Sequence, residues 1–178
     1  MKKLKHLLRA IPIKTVLSLI LLISICATVY LTVGRKDTVV SALADYKTCV
    51  RAENGGIFKG KMEYAEYQYE KAPLAQLEKS DDFTIVDYET LEMLQNCISD
   101  YENRIKEYRE NGNSKNREFA RKYGFDSAML SEGDYCYLTV ESSEDGKNVT
   151  RYSAYYFDLS KKKLYYFYSD NQFKIKSR

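Results

Sequence analysis

Histidine and tryptophan are almost absent from this chain of 178 residues, which contains one histidine and no tryptophan. The histidine is His6, which lies ahead of a long apolar run, so everything after that run lacks an imidazole. This excludes Ser-His-Asp and Cys-His catalysis, histidine general bases and histidine metal ligands from most of the chain. The sequence also has no glycine-rich phosphate loop and no calcium-loop spacing, so we predict neither a cofactor nor a metal site.

Cysteine is scarce as well, with four in the chain. Cys26 lies within the apolar run, and the other three, Cys49, Cys97 and Cys136, are too far apart for a Cys-x-x-Cys redox pair or a zinc knuckle. Three thiols allow at most one internal disulfide. We favour Cys49–Cys97 as that disulfide because both residues fall in predicted amphipathic helices, with three buried free thiols as the alternative.

Charge is missing from residues 15–34, a stretch of 20 residues. At ~1.5 Å of rise per residue, a helix of this length spans a hydrocarbon core of ~30 Å. Residues 1–14 hold five Lys and Arg and no acid, whereas only Arg35 and Lys36 follow the run before Asp37. The positive-inside rule therefore predicts a single-pass signal-anchor helix in the cell membrane, with a cytoplasmic basic tail and the rest of the chain outside.

A cleaved signal peptide is the alternative interpretation of the same run, with cleavage near Ala27 and a secreted domain as the product. A signal-peptide apolar region of ~7–15 residues is shorter than this run, so we favour the uncleaved anchor. The anchor also explains the net charge of +3, because the tail contributes +5 and the remainder therefore carries −2. A slightly acidic domain outside the membrane is not expected to bind nucleic acid.

The segment after the anchor is predicted to begin with a juxtamembrane helix or stalk within residues 35–56. Apolar residues over 38–53 follow a helical spacing, at Val39, Leu43, Tyr46 and Val50. An outer domain is then expected from residue 57 to residue 178. Its first part, residues 60–80, contains Glu, Ala and Gln residues that favour a helix and tyrosines that favour a strand. We interpret it as helical, with Pro73 opening a short helix through Leu77.

The clearest predicted element is a helix over residues 88–110. Its apolar residues alternate steps of three and four, at Leu91, Leu94, Ile98, Tyr101, Ile105 and Tyr108. Asp87 is suited to cap its N-terminus. We interpret it as a core helix, with a short coiled coil that pairs with a partner as the alternative. A second helix is expected over 114–123, with Ser114 as its cap and Gly124 as its end.

The last part of the chain changes to strand patterns. Residues 135–141 alternate and are rich in β-forming residues, and strands are also expected over about 148–158 and over the following L-Y-Y-F-Y-S segment. Phe173 and Ile175 indicate a possible fourth strand. The predicted fold class is therefore α+β, with amphipathic helices that cover a C-terminal antiparallel meander of three to four strands.

Tyrosine is the one residue type in excess, and eight of the 17 tyrosines fall between residues 135 and 168. Neighbouring tyrosines on a strand point to opposite faces, so one face should bury against the helices while the other shows rings. Rigid tyrosine rings suit the binding of a peptide, a sugar or a protein surface. The predicted binding residues are Tyr152, Tyr156, Tyr166 and Tyr168. The alternative is that the rings are cross-strand pairs that stabilise the sheet.

These observations predict a non-catalytic interaction module held in the lipid bilayer through residues 15–34. Its expected partner is another protein or an envelope component, contacted by the tyrosine-rich face or by the 88–110 helix. The alternative is an envelope hydrolase that uses carboxylates, with Glu141 or Asp158 as the candidate residues.

Overall fold

A computed structural model of the protein describes residues 38–55, 60–142 and 149–170. They form an α+β fold with one six-stranded antiparallel sheet. The helices are α1 (Thr38–Ala42), α2 (Leu74–Lys79), α3 (Tyr88–Asn111) and α4 (Ser114–Lys122), with a 3-10 turn at Ser127–Met129. The strands are β1 (Thr48–Gly55), β2 (Lys61–Gln68), β3 (Thr84–Ile85), β4 (Tyr135–Ser142), β5 (Val149–Asp158) and β6 (Lys163–Asp170).

The sheet has the strand order β1-β2-β6-β5-β4-β3. Strands β4, β5 and β6 form the predicted meander, and β1 and β2 form a separate antiparallel pair. The two parts join where β2 pairs with β6, so that Tyr64 lies opposite Phe167. The predicted meander of three to four strands is therefore one half of a larger sheet.

Two sequence predictions were wrong in the first half of the outer domain. The helix predicted over 38–53 is the short helix α1 followed by strand β1, and Val50 is an exposed residue of that strand. The helix predicted over 60–80 is strand β2 followed by α2, whose first residue comes directly after Pro73. Tertiary pairing overrides local preference here, because β2 lies between β1 and β6 and its centre is buried.

The predicted helices that follow are confirmed. Helix α3 begins after Asp87, whose side chain accepts a hydrogen bond from the Thr90 amide at 2.8 Å. Its apolar side is buried in the domain core, which confirms the core-helix interpretation rather than the coiled coil. Helix α4 is capped by Asn113 rather than by the predicted Ser114.

The hydrophobic core lies between α3, α4 and one face of the sheet, here called the first face. Alternate residues of the strands supply it, among them Tyr64, Ala154, Tyr156 and Phe167, all fully buried. The α3 residue Tyr101 packs against Phe167 with ring centroids 5.6 Å apart, and its hydroxyl donates to the Glu63 carbonyl at 2.7 Å. The opposite side of the sheet, the second face, is therefore left for other contacts.

No helix among the described residues is long and apolar enough to cross a membrane. The predicted cytoplasmic tail, the membrane anchor at 15–34, the cleavage point near Ala27 and the possible strand at 173–176 all lie outside the described residues. The whole described sheet belongs to one unit of the chain, which begins at Ala42.

Candidate binding surface

The second face changes from apolar to charged along the strands. Its apolar end consists of residues opposite one another on β2, β6, β5 and β4, namely Tyr67, Leu164, Phe157 and Tyr135. All four are buried. Tyr69 lies over this end, with its ring 5.5 Å from that of Phe157. The apolar end of the second face is therefore closed by the chain itself.

A ladder of three tyrosines crosses the middle of the second face. Tyr137, Tyr155 and Tyr166 lie opposite one another on β4, β5 and β6. The rings of Tyr137 and Tyr155 are stacked at 5.8 Å, and those of Tyr155 and Tyr166 are 4.7 Å apart. Offset ring pairs at these distances stabilise a sheet beyond their buried area. At these three positions, the tyrosines form cross-strand pairs, which was the alternative interpretation of the tyrosine-rich segment.

The charged end of the second face, a row of alternating charge, is formed by Lys61, Asp170, Arg151 and Glu141. Arg151 bridges its two neighbours, at 3.3 Å from the Asp170 carboxylate and 3.1 Å from that of Glu141. These side chains are partly exposed, and exposed pairs of this kind add little stability. The row therefore presents ordered charge of both signs to solvent without being needed to hold the sheet together.

Glu63 lies on the same face of β2 as Lys61, two residues farther along the strand, and is buried. Its carboxylate is 3.2 Å from the guanidinium of Arg51 and is also paired with the ammonium of Lys61. Burial by itself would raise the pKa of Glu63, but the cations of Lys61 and Arg51 outweigh it and hold the pKa below its ordinary value. Beside this group, Lys61 lies 6.0 Å from the centre of the Tyr168 ring. The charged end thus combines a fixed carboxylate, two cations and a half-exposed ring.

The four predicted binding tyrosines do not form one surface. Tyr152 and Tyr156 lie on the first face and are buried against the helices. The Tyr152 hydroxyl donates to the Cys97 carbonyl at 2.8 Å. The Tyr156 hydroxyl is bonded to Asp134 and lies 2.9 Å from the Met129 carbonyl oxygen.

Tyr166 and Tyr168 lie on the second face. Tyr166, a member of the ladder, is 8% exposed, whereas Tyr168 is half-buried beside the charged row. We expected the second face to show its rings, and at Tyr155 and Tyr166 it does not. Of the four predicted tyrosines, Tyr168 is the one that a partner can reach without a change in the sheet.

Cys49, Cys97 and Cys136 are free thiols in the structure. Cys49 is exposed on β1, which was predicted to be a helix, whereas Cys97 is buried on α3. The bridge predicted between Cys49 and Cys97 is not formed. Burial raises the pKa of Cys97 to about 11, and the nearby Asp100 adds to the shift.

The two candidate catalytic carboxylates lie far apart on the sheet, Glu141 near the end of β4 and Asp158 at the end of β5. Glu141 is opposite Arg151, and Asp158 is seven residues farther along the strand. At the ordinary rise of a strand, seven residues separate the two backbone positions by about 23 Å, well beyond the separation of ~5–9.5 Å between carboxylates that glycoside hydrolysis needs. Asp158 instead accepts hydrogen bonds from the Ser160 hydroxyl and the Lys161 amide in the turn before β6. Among the described residues, no cluster of carboxylates and thiols could hold a metal ion.

One feature was missed by the sequence reasoning, a basic groove where α3 meets α4. It has a volume of about 490 Å³ and is lined by Arg109, Ser114, Arg117 and Arg121. The spacing of Arg117 and Arg121 on α4 was a signal, since residues four apart share a helix face. The contribution of Arg109 was not readable because it depends on how the two helices pack.

No protein-family model, curated protein or solved structure matches the chain.

Proposed function

We propose that the chain is a single-pass membrane protein whose outer α+β domain is a non-catalytic binding module for another protein or an envelope component. The observation that carries the binding role is the charged end of the second face. There, cations and carboxylates are fixed in alternation beside the half-buried ring of Tyr168.

The charged end suits recognition because its groups are ordered but remain accessible. Alternating charges arranged by strand register favour a partner with the complementary pattern and disfavour one with like charges. Tyrosine adds a rigid contact area at a small cost in conformational entropy. We therefore expect the charged end to contribute mainly to selectivity between partners, because it has little apolar area to bury.

The membrane location rests on the uncharged run at 15–34 and on the five cations that precede it. Intact mass of the protein extracted from membranes tests this part. The expected mass is that of a chain retaining residues 1–34, and a product that starts near Ala27 would contradict the anchor.

Photo-crosslinking in cells tests the binding role. A photoreactive amino acid at Thr139 or Tyr168 samples the second face near its charged end, and one at the exposed Glu107 of α3 serves as the matched control. We expect a discrete adduct from the two sheet positions and none from Glu107. Equal adducts from all three positions, or none from the sheet positions, would contradict the assignment of this surface.

A further inference from the structure

We infer that the groove between α3 and α4 is a binding site for a phosphate group. The groove is defined by Arg109 on α3 and by Ser114, Arg117 and Arg121 on α4. This site is separate from the charged end of the second face and does not depend on the membrane anchor.

The groove concentrates positive charge that the domain does not neutralise. None of its three arginines forms an ion pair with any described residue, whereas Arg51 and Arg151 on the sheet are both paired with carboxylates. Three guanidinium groups around one groove repel one another, and a bound anion removes that repulsion. A cluster of this kind is therefore suited to a ligand of negative charge.

Two of the arginines are held in position by the backbone. Arg109 donates to the carbonyls of Ala120 and Tyr123, at 3.3 and 3.5 Å, and so contacts the last turn of α4. Arg117 donates from Nε to the Gly112 carbonyl at 2.7 Å. Each guanidinium has five N–H groups, so both keep donors for a ligand while their direction is fixed. A ligand then loses less affinity to the ordering of side chains.

The α4 residues of the groove form one stripe. Ser114, Arg117 and Arg121 are spaced by three and four, so they share one side of the helix over about 10 Å. Ser114 lies in the first turn, where the helix dipole favours an anion, and its hydroxyl has no partner among the described residues. The stripe therefore offers hydroxyl and guanidinium donors in a row.

The lining favours phosphate over an acidic protein segment. The planar guanidinium group of arginine binds phosphate oxygens through two parallel hydrogen bonds. The described residues that line the groove are three arginines and a serine, so every one of these side chains carries hydrogen-bond donors for the phosphate oxygens. None of these described residues is aromatic, so they offer no ring on which a nucleic-acid base could stack.

Titration of the full-length protein in maltoside micelles with inorganic phosphate tests the site, with chloride at equal ionic strength as the reference. The readout is the NMR signal of the arginine Nε–H groups, which reports each arginine separately. We expect phosphate to shift the signals of Arg117 and Arg121, and Arg121→Gln to weaken the affinity about tenfold. Arg121 makes no hydrogen bond or ion pair with the described residues, so this variant keeps the fold intact.

The matched control is Lys115→Gln with Lys122→Gln, which removes two charges from the same helix outside the groove. An equal loss of affinity in this control would overturn the proposal, because the effect would then be one of overall charge. The same protein in nanodiscs of phosphatidylcholine, with or without phosphatidic acid, distinguishes the source of the phosphate. A response in micelles indicates a soluble phosphate compound, and a response only with phosphatidic acid indicates a lipid headgroup. No response in either arm refutes the site.

Discussion

The hydroxyl of Tyr156 should contribute far more to stability than that of Tyr165, although the two rings are neighbours. They lie opposite each other on β5 and β6, are 0% and 2% exposed, and are stacked with centroids 6.4 Å apart. Removal of either hydroxyl, as Tyr156→Phe or Tyr165→Phe, keeps the ring and its packing. The comparison therefore isolates the hydrogen bonds.

The two hydroxyls have different partners. That of Tyr156 donates to the buried carboxylate of Asp134 and accepts from the Ser131 amide at 3.1 Å. That of Tyr165 lies 4.0 Å from the Met129 sulfur, a weak acceptor. A hydrogen bond to a charged group contributes ~1.5–3 kcal/mol and an ordinary one ~0.5–1.5 kcal/mol, so Tyr156→Phe should cost about 2–4 kcal/mol. Tyr165→Phe should cost less than about 1 kcal/mol.

Urea unfolding of the full chain in detergent, followed by far-ultraviolet circular dichroism, measures both losses. The free energies of unfolding are comparable if the dependence on urea is unchanged between the variants. Equal losses for the two variants, or a loss under about 0.5 kcal/mol for Tyr156→Phe, would refute the assigned role of the Asp134 contact.

Three further predictions concern a ring in the core, the cap of α3 and the reactivity of two thiols. Phe125→Ala should cost ~3–5 kcal/mol in unfolding free energy, because its ring lies 4.6 Å from Tyr165 and 5.0 Å from Phe167 in the core. Asp87→Ala should destabilise the protein at neutral pH, and the difference should shrink in acid titrations. The Thr90 hydrogen bond lowers the pKa of Asp87, so its contribution is present above the ordinary aspartate pKa and is lost as the pH falls. A maleimide at pH 8 should label the exposed Cys49 well before Cys97, whose raised pKa and burial keep it a protonated thiol until unfolding.

The second half of the fold could be predicted because its signals are local. Helix α3 carries its own cap at Asp87 and a regular apolar stripe, and strands β4 to β6 alternate between short turns. Strand β1 could not be predicted from its own residues, since six of its eight residues are exposed and the two buried ones, Ala52 and Asn54, both lie in its second half. Its conformation depends on pairing with β2, and that of β2 depends on β6.

For the candidate surface too, the features set within one strand could be predicted, and those that depend on pairing between strands could not. Alternation along β5 correctly puts Tyr152 and Tyr156 on one face. Whether Tyr166 shares that face depends on the register between β5 and β6, which is fixed by the turn that places Asp158 opposite Lys163. The charged row was not predicted at all, because Lys61 and Glu141 meet on one face only through four strands of pairing.

The position of β6 between β2 and β5 also decides when the domain can fold during synthesis. Among the described strands, the pairing of β2 with β6 is what joins the two parts of the sheet, and its ion pair between Glu66 and Lys163 connects residues 97 positions apart. Before β6 is made, β1 and β2 are an isolated two-stranded hairpin, which is marginally stable in water. A nascent chain must therefore close this long loop as a late step, and such closure slows folding. Cells that make this protein have to keep the first hairpin from pairing with other open strand edges until the last strand arrives.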